Sequence, residues 1–380
     1  MKIGIVCYPT YGGSGVVATE LGKALAKEGH EIHFITYSQP TRLDFFSENL
    51  YYHEVGIKSY PLFDYPPYEL ALASKMVQVT EHEQLDILHV HYAIPHASAA
   101  YMARQILKTK GIFIPFITTL HGTDITLVGK DPGYEPVVTF SINESNGVTA
   151  VSEDLKKDTL DLFPITNDIR VIPNFIDLNR FKKQKKEHFK KAICPNDERL
   201  LVHTSNFRKV KRVEDVIQVF CRVRQEVPAK LLLVGDGPER NRMEQLGREL
   251  CDCDDIRFLG KLEAVEEVLS VADLFIMPSE KESFGLAALE AMACEVPVIS
   301  SNAGGLPELN INGQSGFVCE IGDVEDMSAK AIHILSEDNL GRFKKGALAR
   351  AKDFEVSNVL PLYENMYSEV IEKASKAILI

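Results

Sequence analysis

The chain has 380 residues, 45% of them apolar and 25% charged, enough for two or three packed domains and too apolar for a disordered or collagenous chain. Its 42 Lys and Arg against 54 Asp and Glu give a net charge of −12, which excludes a general binder of nucleic acid or anionic membrane. No apolar run approaches the ~20 residues of a membrane span. The first residues enter a strand-like run with no basic segment and apolar core of a secretory leader, so a cytoplasmic protein is expected. Seven scattered cysteines, with Cys251 and Cys253 spaced C-x-C, fit reduced thiols better than a disulfide framework or a zinc site.

In chain order, Lys2–Tyr8 predicts a strand with Ile3, Ile5 and Cys7 on one face and Gly4 and Val6 on the other. Both faces are apolar, as a parallel strand between helix layers requires. Val17, Leu21, Ala24 and Leu25 then recur at helical spacing until Gly29. Strands at 31–36, 86–91, 114–119, 147–151 and 169–172, with helices near 69–82, 97–108 and 152–161, complete a first βα series. Residues 174–191 carry Lys182, Lys183, Lys185, Lys186, Lys190 and Lys191 with little apolar period, and read as a solvated linker. A second series follows, with strands at 200–204, 229–234, 256–259, 274–277, 296–300 and 316–319. Its helices fall near 213–225, 238–251, 263–270, 284–293, 324–335 and 340–351. The fold class expected is therefore α/β: two Rossmann-like, doubly wound parallel-sheet domains, 1–172 and 173–354, facing an interdomain cleft. A last helix, about 355–380, can pack back on the first.

Gly12-Gly13-Ser14-Gly15 joins the first strand to its helix, where backbone N–H groups suit an anion. The spacing is not G-x-G-x-x-G, and the second strand ends in Thr36-Tyr37-Ser38 without the acid that holds an NAD ribose, which disfavours a dehydrogenase. A tight turn accounts for one or two of the three glycines. Gly235-Asp236-Gly237-Pro238 is the matching turn in the second series, with Pro238 expected in the first helical turn and both glycines readable as geometry alone. The strongest local signal is Glu282-Ser-Phe-Gly-Leu-Ala-Ala-Leu-Glu290. Glu282 precedes a helix and Glu290 is expected about two turns inside it, ~10 Å away or more, too far for a carboxylate pair sharing a proton. Two carboxylates so placed suit different parts of one extended ligand; the alternative is an acidic helix start favoured by the dipole.

Glu282-x7-Glu290, Val234-Gly-Asp-Gly-Pro238, Pro173-Asn-Phe-Ile-Asp177 and the N-terminal glycine loop together resemble the retaining GT-B glycosyltransferases of family GT4, over essentially the whole chain. Tyr8–Gly15, His89–His96 and Thr118–Asp124 look most like the branch that transfers N-acetylglucosamine from UDP-GlcNAc to L-malate, the first step of bacillithiol biosynthesis. The resemblance implies a catalytic set of Lys211, Glu282 and His121, with Glu282 facing the donor sugar and His121 positioning it without moving a proton. Lys211 matches the second member of a basic pair on the pyrophosphate; the first position is Asn206, where many relatives have Arg, and Arg208 lies close by. Backbone N–H groups of Phe284, Gly285 and Leu286 are implied on the diphosphate or sugar hydroxyls, Glu290 on the ribose, and Gly13 near the β-phosphate. For the dianionic acceptor, Ser14 at a helix N-terminus and the hydroxyls of Tyr92 and Thr119 are the expected contacts. His89 and His91 share a strand face near His96, but with no cysteine or acid beside them no metal is expected, and no cofactor beyond the sugar-nucleotide substrate. The family implies front-face attack in which the leaving diphosphate takes the acceptor proton. Another acceptor, a UDP-GlcNAc epimerase of the same fold, a non-catalytic sugar-nucleotide binder and a homo-oligomer all stay open.

Overall fold

Seven parallel strands form the sheet of the first unit: β1 (Lys2–Val6), β2 (Glu31–Thr36), β3 (Leu50–Glu54), β4 (Ile87–His91), β5 (Phe116–Leu120), β6 (Gly147–Ala150) and β7 (Ile169–Val171). Their order is β3-β2-β1-β4-β5-β6-β7. The computed structural model describes residues 1–10, 12–43, 47–56, 65–129, 131–184, 186–251 and 255–378, so Lys185, Cys253 and Tyr11 of the Tyr8–Gly15 segment lie outside the described residues. Met1–Asn174 and Val356–Ile380 make one unit, Phe175–Glu355 the other.

The apolar runs set the strands and the amphipathic ones cover them. Leu72, Met76 and Val79 of helix Tyr68–Glu83, with Ala99, Ala103 and Leu107 of helix Ser98–Thr109, pack on Val6, Leu88, Val90 and Phe116. Each fully buried Leu or Phe is worth about 2 kcal/mol. β3 and helix Glu135–Asn143 were not expected from the sequence. Leu50-Tyr51-Tyr52-His53-Glu54 is a partly exposed edge strand with no apolar alternation, and only Val138, Ser141 and Ile142 of the helix are buried. The last helix, Val356–Ile378, counts with the first unit, where Tyr363 and Tyr367 are 0% exposed. Among the described residues no helix is long and apolar enough to cross a membrane.

The second unit repeats the plan with β8 (Arg199–Ser205), β9 (Ala229–Gly235), β10 (Ile256–Gly260), β11 (Leu274–Met277), β12 (Val298–Ser301) and β13 (Gly316–Cys319), ordered β10-β9-β8-β11-β12-β13 and parallel throughout. Four expectations change here. The lysine-rich segment is not all linker: Glu187–Ile193 is a helix, and Lys190 ties it to Asp273 at 2.6 Å. The helix after β9 begins at Arg240, so Pro238 lies in the turn before it. The helix after β11 is Leu286–Ala293, which puts Glu290 about one turn inside, not two. Cys221 of helix Val213–Glu226 is disulfide-bonded to Cys251, Cα atoms 6.2 Å apart, where reduced thiols were expected. Cys7, Cys194, Cys294 and Cys319 are free and buried.

Candidate functional site

In each sheet the strand order reverses at one point, between β1 and β4 and between β8 and β11. Loops leaving the carboxyl ends there diverge to opposite faces and leave room for a ligand. Most of the candidate residues lie in those loops.

In the first unit, a Cβ on Gly15 would stand 2.5 Å from the carbonyl oxygens of both Tyr8 and Thr10, so this glycine serves the turn. Gly12 and Gly13 are exposed, and among the described residues no side chain caps the helix that starts at Gly13, Gly13–Lys27. Ser14 Oγ lies 2.6 Å from the Tyr92 hydroxyl, joining the loop after β1 to that after β4. Tyr92 holds φ at 86°, a conformation that costs about 1–3 kcal/mol and tends to persist where a site requires it. The Tyr8 ring, which sequence reasoning passed over, packs edge-on against Tyr92 at 5.4 Å and lies 4.6 Å from His96.

His121 follows β5 and is 9% exposed. Its Nε2 is 2.8 Å from His91 Nδ1, and the rings stack 5.0 Å apart. Among the described residues, His91 Nε2 is buried without a partner. An orphaned lone pair is cheaper to bury than an orphaned N–H, so His91 donates from Nδ1 and His121 carries its proton on Nδ1. Burial pushes His89 and His121 down to about 3 and His96 to about 4, so all three rings are neutral at pH 7. The three strand and turn histidines spend ring nitrogens on protein groups: His89 on Tyr367 and Thr119 at 2.8 and 2.7 Å, His91 on His121, His96 on the His91 carbonyl. Thr119 changes role. It is 0% exposed, and its hydroxyl is shared between His89 and Thr149 at 2.7 Å each, so it supports the strand from beneath and offers no free hydroxyl to an acceptor.

Asp124, also passed over as a functional group, organises both turns. Its carboxylate accepts from Ala93 N–H at 2.8 Å and Gly122 N–H at 3.1 Å. Burial pushes the carboxyl up to about 6, opposed by the backbone N–H groups aimed at it. Asp124→Ala orphans two buried N–H groups, so a loss of about 2 kcal/mol or more is expected. Thermal unfolding checks the stability, and turnover should fall with it because both His121 and Tyr92 lose their anchor.

In the second unit, the loop after β8 carries Asn206 and Arg208, both exposed; Arg208 has no ion-pair partner among the described residues. A Cβ on Gly235 or Gly237 would overlap the carbonyl oxygen of Ser205 or Asn206, so both glycines let this loop and the one after β9 close on each other. Lys211, ending the short turn Lys209–Lys211, is ion-paired with Glu282 in the loop after β11. Ser279 Oγ, unforeseen in sequence, donates to the same Glu282 oxygen at 3.2 Å, and Glu280 N–H bonds the Val210 carbonyl at 2.8 Å. The structure thus brings Lys211 and Glu282 together directly. Gly285 takes φ 100° as the uncapped start of helix Leu286–Ala293; Phe284 is buried on Phe354, Leu286 is half-buried, and Glu290 is 8% exposed.

Residues 11–180 match the family model for Glycosyltransferase Family 4, and 184–347 that for Glycosyl transferases group 1. The chain is 49% identical to the N-acetyl-alpha-D-glucosaminyl L-malate synthase of Bacillus anthracis, over 98% of this chain and 97% of that protein. Among solved structures it is similar to a sucrose-phosphate synthase from Thermosynechococcus elongatus, TM-score 0.79 and 21% identity over 98% and 100% of the two chains. It is also similar to Anabaena HepE in complex with UDP and glucose, TM-score 0.80 and 20% identity over 97% and 99%. The fold is of the GT-B class.

Proposed function

We propose, because this chain belongs to the family 4 glycosyltransferases, that it transfers N-acetylglucosamine from UDP-GlcNAc to the hydroxyl of L-malate with retention, releasing UDP. The observation that carries this reading is the 49% identity to the Bacillus anthracis malate synthase, maintained over nearly the whole of both chains.

In this reading the second unit holds the donor. Lys211 and the N–H groups at Gly285 and Leu286 face the diphosphate, Arg208 supplies the cation that Asn206 lacks, Glu282 meets the sugar and Glu290 the ribose. The first unit holds the acceptor at Ser14, Tyr92 and the helix N-terminus at Gly13. The bond from the anomeric carbon to the diphosphate oxygen breaks, the bond to the malate oxygen forms on the same face, and the leaving diphosphate accepts the malate proton. A neutral His121, pushed to about 3 by burial, positions the sugar through its Nδ1 proton and is too weak a base for proton transfer at pH 7. Most of the acceleration then comes from fixed positive charge on the leaving group.

UDP release from UDP-GlcNAc across a panel of hydroxy acids, inositols and sugars tests the acceptor. Release that depends on L-malate, with an α-linked product by NMR, is expected. Preference for inositol or a sugar, or sugar-nucleotide interconversion without acceptor, overturns it.

A further inference from the structure

On the β2–β3 side of the first sheet, apart from the loops described above, three side chains converge that no step of the proposed reaction uses. They are His33 of β2, His53 of the edge strand β3 and Glu83 at the end of helix Tyr68–Glu83. One ligand atom from each lies within 4.8 Å of the others, and among the described residues no other group of His, Cys, Asp or Glu does this. His33 is fully buried; His53 and Glu83 are half-buried, which leaves one side of the cluster open to water.

The hydrogen-bond chemistry is directional. His33 Nε2 lies 3.0 Å from Glu31 Oε1. A carboxylate only accepts, so the His33 proton sits on Nε2 and the Nδ1 lone pair faces His53 Nε2, 2.9 Å away. A carboxylate behind one imidazole nitrogen, with the other presented as a ligand, is the usual support of a metal-bound histidine. Tyr51 stacks on His33 at 4.8 Å and 14°, fixing the ring plane. Burial lowers the pKa of both histidines, favouring the neutral form a metal needs. Two nitrogens on one tetrahedral zinc stand about 3.3 Å apart, so the rings need to part by only a few tenths of an ångström.

We propose that His33, His53 and Glu83 form a binding site for a divalent transition ion, with Glu31 orienting His33 from behind and water in the fourth position. Two imidazoles and one carboxylate select zinc or cobalt over magnesium or calcium, which take oxygen ligands. Bound there, the ion ties the edge strand β3 and the end of helix Tyr68–Glu83 to β2.

The full chain, stripped by chelator, is titrated with Co²⁺ and Zn²⁺. One equivalent of Co²⁺ with a tetrahedral visible band, displaced by Zn²⁺, is expected, and Zn²⁺ should raise the melting temperature by several degrees. His53→Gln, on a half-buried edge position that leaves the core intact, should weaken binding at least a hundredfold, and Glu31→Gln about 10–100-fold. His188→Gln, at an exposed position in the other unit, should change nothing. The proposal is overturned by less than one equivalent bound at micromolar metal, by equal binding in His53→Gln, or by a melting temperature indifferent to zinc. The last two results would leave the His33–His53 contact as a plain hydrogen bond.

Discussion

Lys211→Ala is expected to lower turnover of UDP-GlcNAc about a hundredfold, the usual loss when one transition-state charge contact is removed. Lys211 is held by Glu282, with side chains only 20% and 12% exposed. The diphosphate of a donor carries more negative charge than one carboxylate and can draw the ammonium from it. Two roles must be separated, since Lys211→Ala also leaves the partly buried Glu282 side chain with only Ser279 as a partner among the described residues. If Lys211 merely neutralises Glu282, the melting temperature falls but the protein that remains folded turns over normally. If Lys211 stabilises the leaving group, kcat falls in protein whose fold is verified. Lys211→Ala/Glu282→Ala isolates the stability part: the double variant should regain the stability lost by the single one, while kcat is read from the single variant because Glu282 is itself placed on the donor sugar. Near-normal kcat in folded Lys211→Ala rejects the phosphate assignment.

The βα alternation was legible because a parallel strand covered on both faces must be apolar where it is covered, as Ile3–Val6 and Leu274–Met277 are. β3 was not, because an edge strand carrying Tyr, His and Glu has no such signature. The site loops were legible through residues that loops need for unusual reasons: Gly15, Gly235 and Gly237 for close backbone approach, Glu282 and Lys211 for charge. What the sequence concealed was which hydroxyls remain free. Thr119 sits two residues before His121, yet β5 is central and its five residues are all buried, so the hydroxyl is consumed inside the sheet. The Cys221–Cys251 and His33–His53 contacts were equally hidden, since both arise from packing between elements with no local spacing rule.

The lysine-rich segment misled for a related reason, and it leads to the largest stability effect expected. Composition reads six lysines as solvated, but Lys190 projects from helix Glu187–Ile193 onto Asp273, which is 1% exposed at the start of β11. The carboxylate accepts from Lys190 at 2.6 Å, Lys344 at 2.8 Å and the Leu200 N–H at 3.0 Å. Asp273→Ala leaves two ammonium groups and the Leu200 N–H of β8 without their acceptor, so unfolding free energy should drop by about 3–5 kcal/mol. Asp273→Asn keeps the acceptor for Leu200 and should lose less. Burial alone would raise the Asp273 pKa, but Lys344 and Lys190 hold it below the usual carboxylate range. Burial pulls Lys344 toward its neutral form, and the shared carboxylate does not fully offset this. With the folded pKa below the unfolded value near 3.9, the stabilisation is complete above about pH 5 and is lost as pH falls through the folded pKa. Denaturant unfolding of the wild type and Asp273→Asn between pH 7 and pH 3 should therefore show a gap that is constant near neutrality and closes in acid. A gap that stays constant to pH 3 would mean that the lysines do not stabilise the ionised carboxylate.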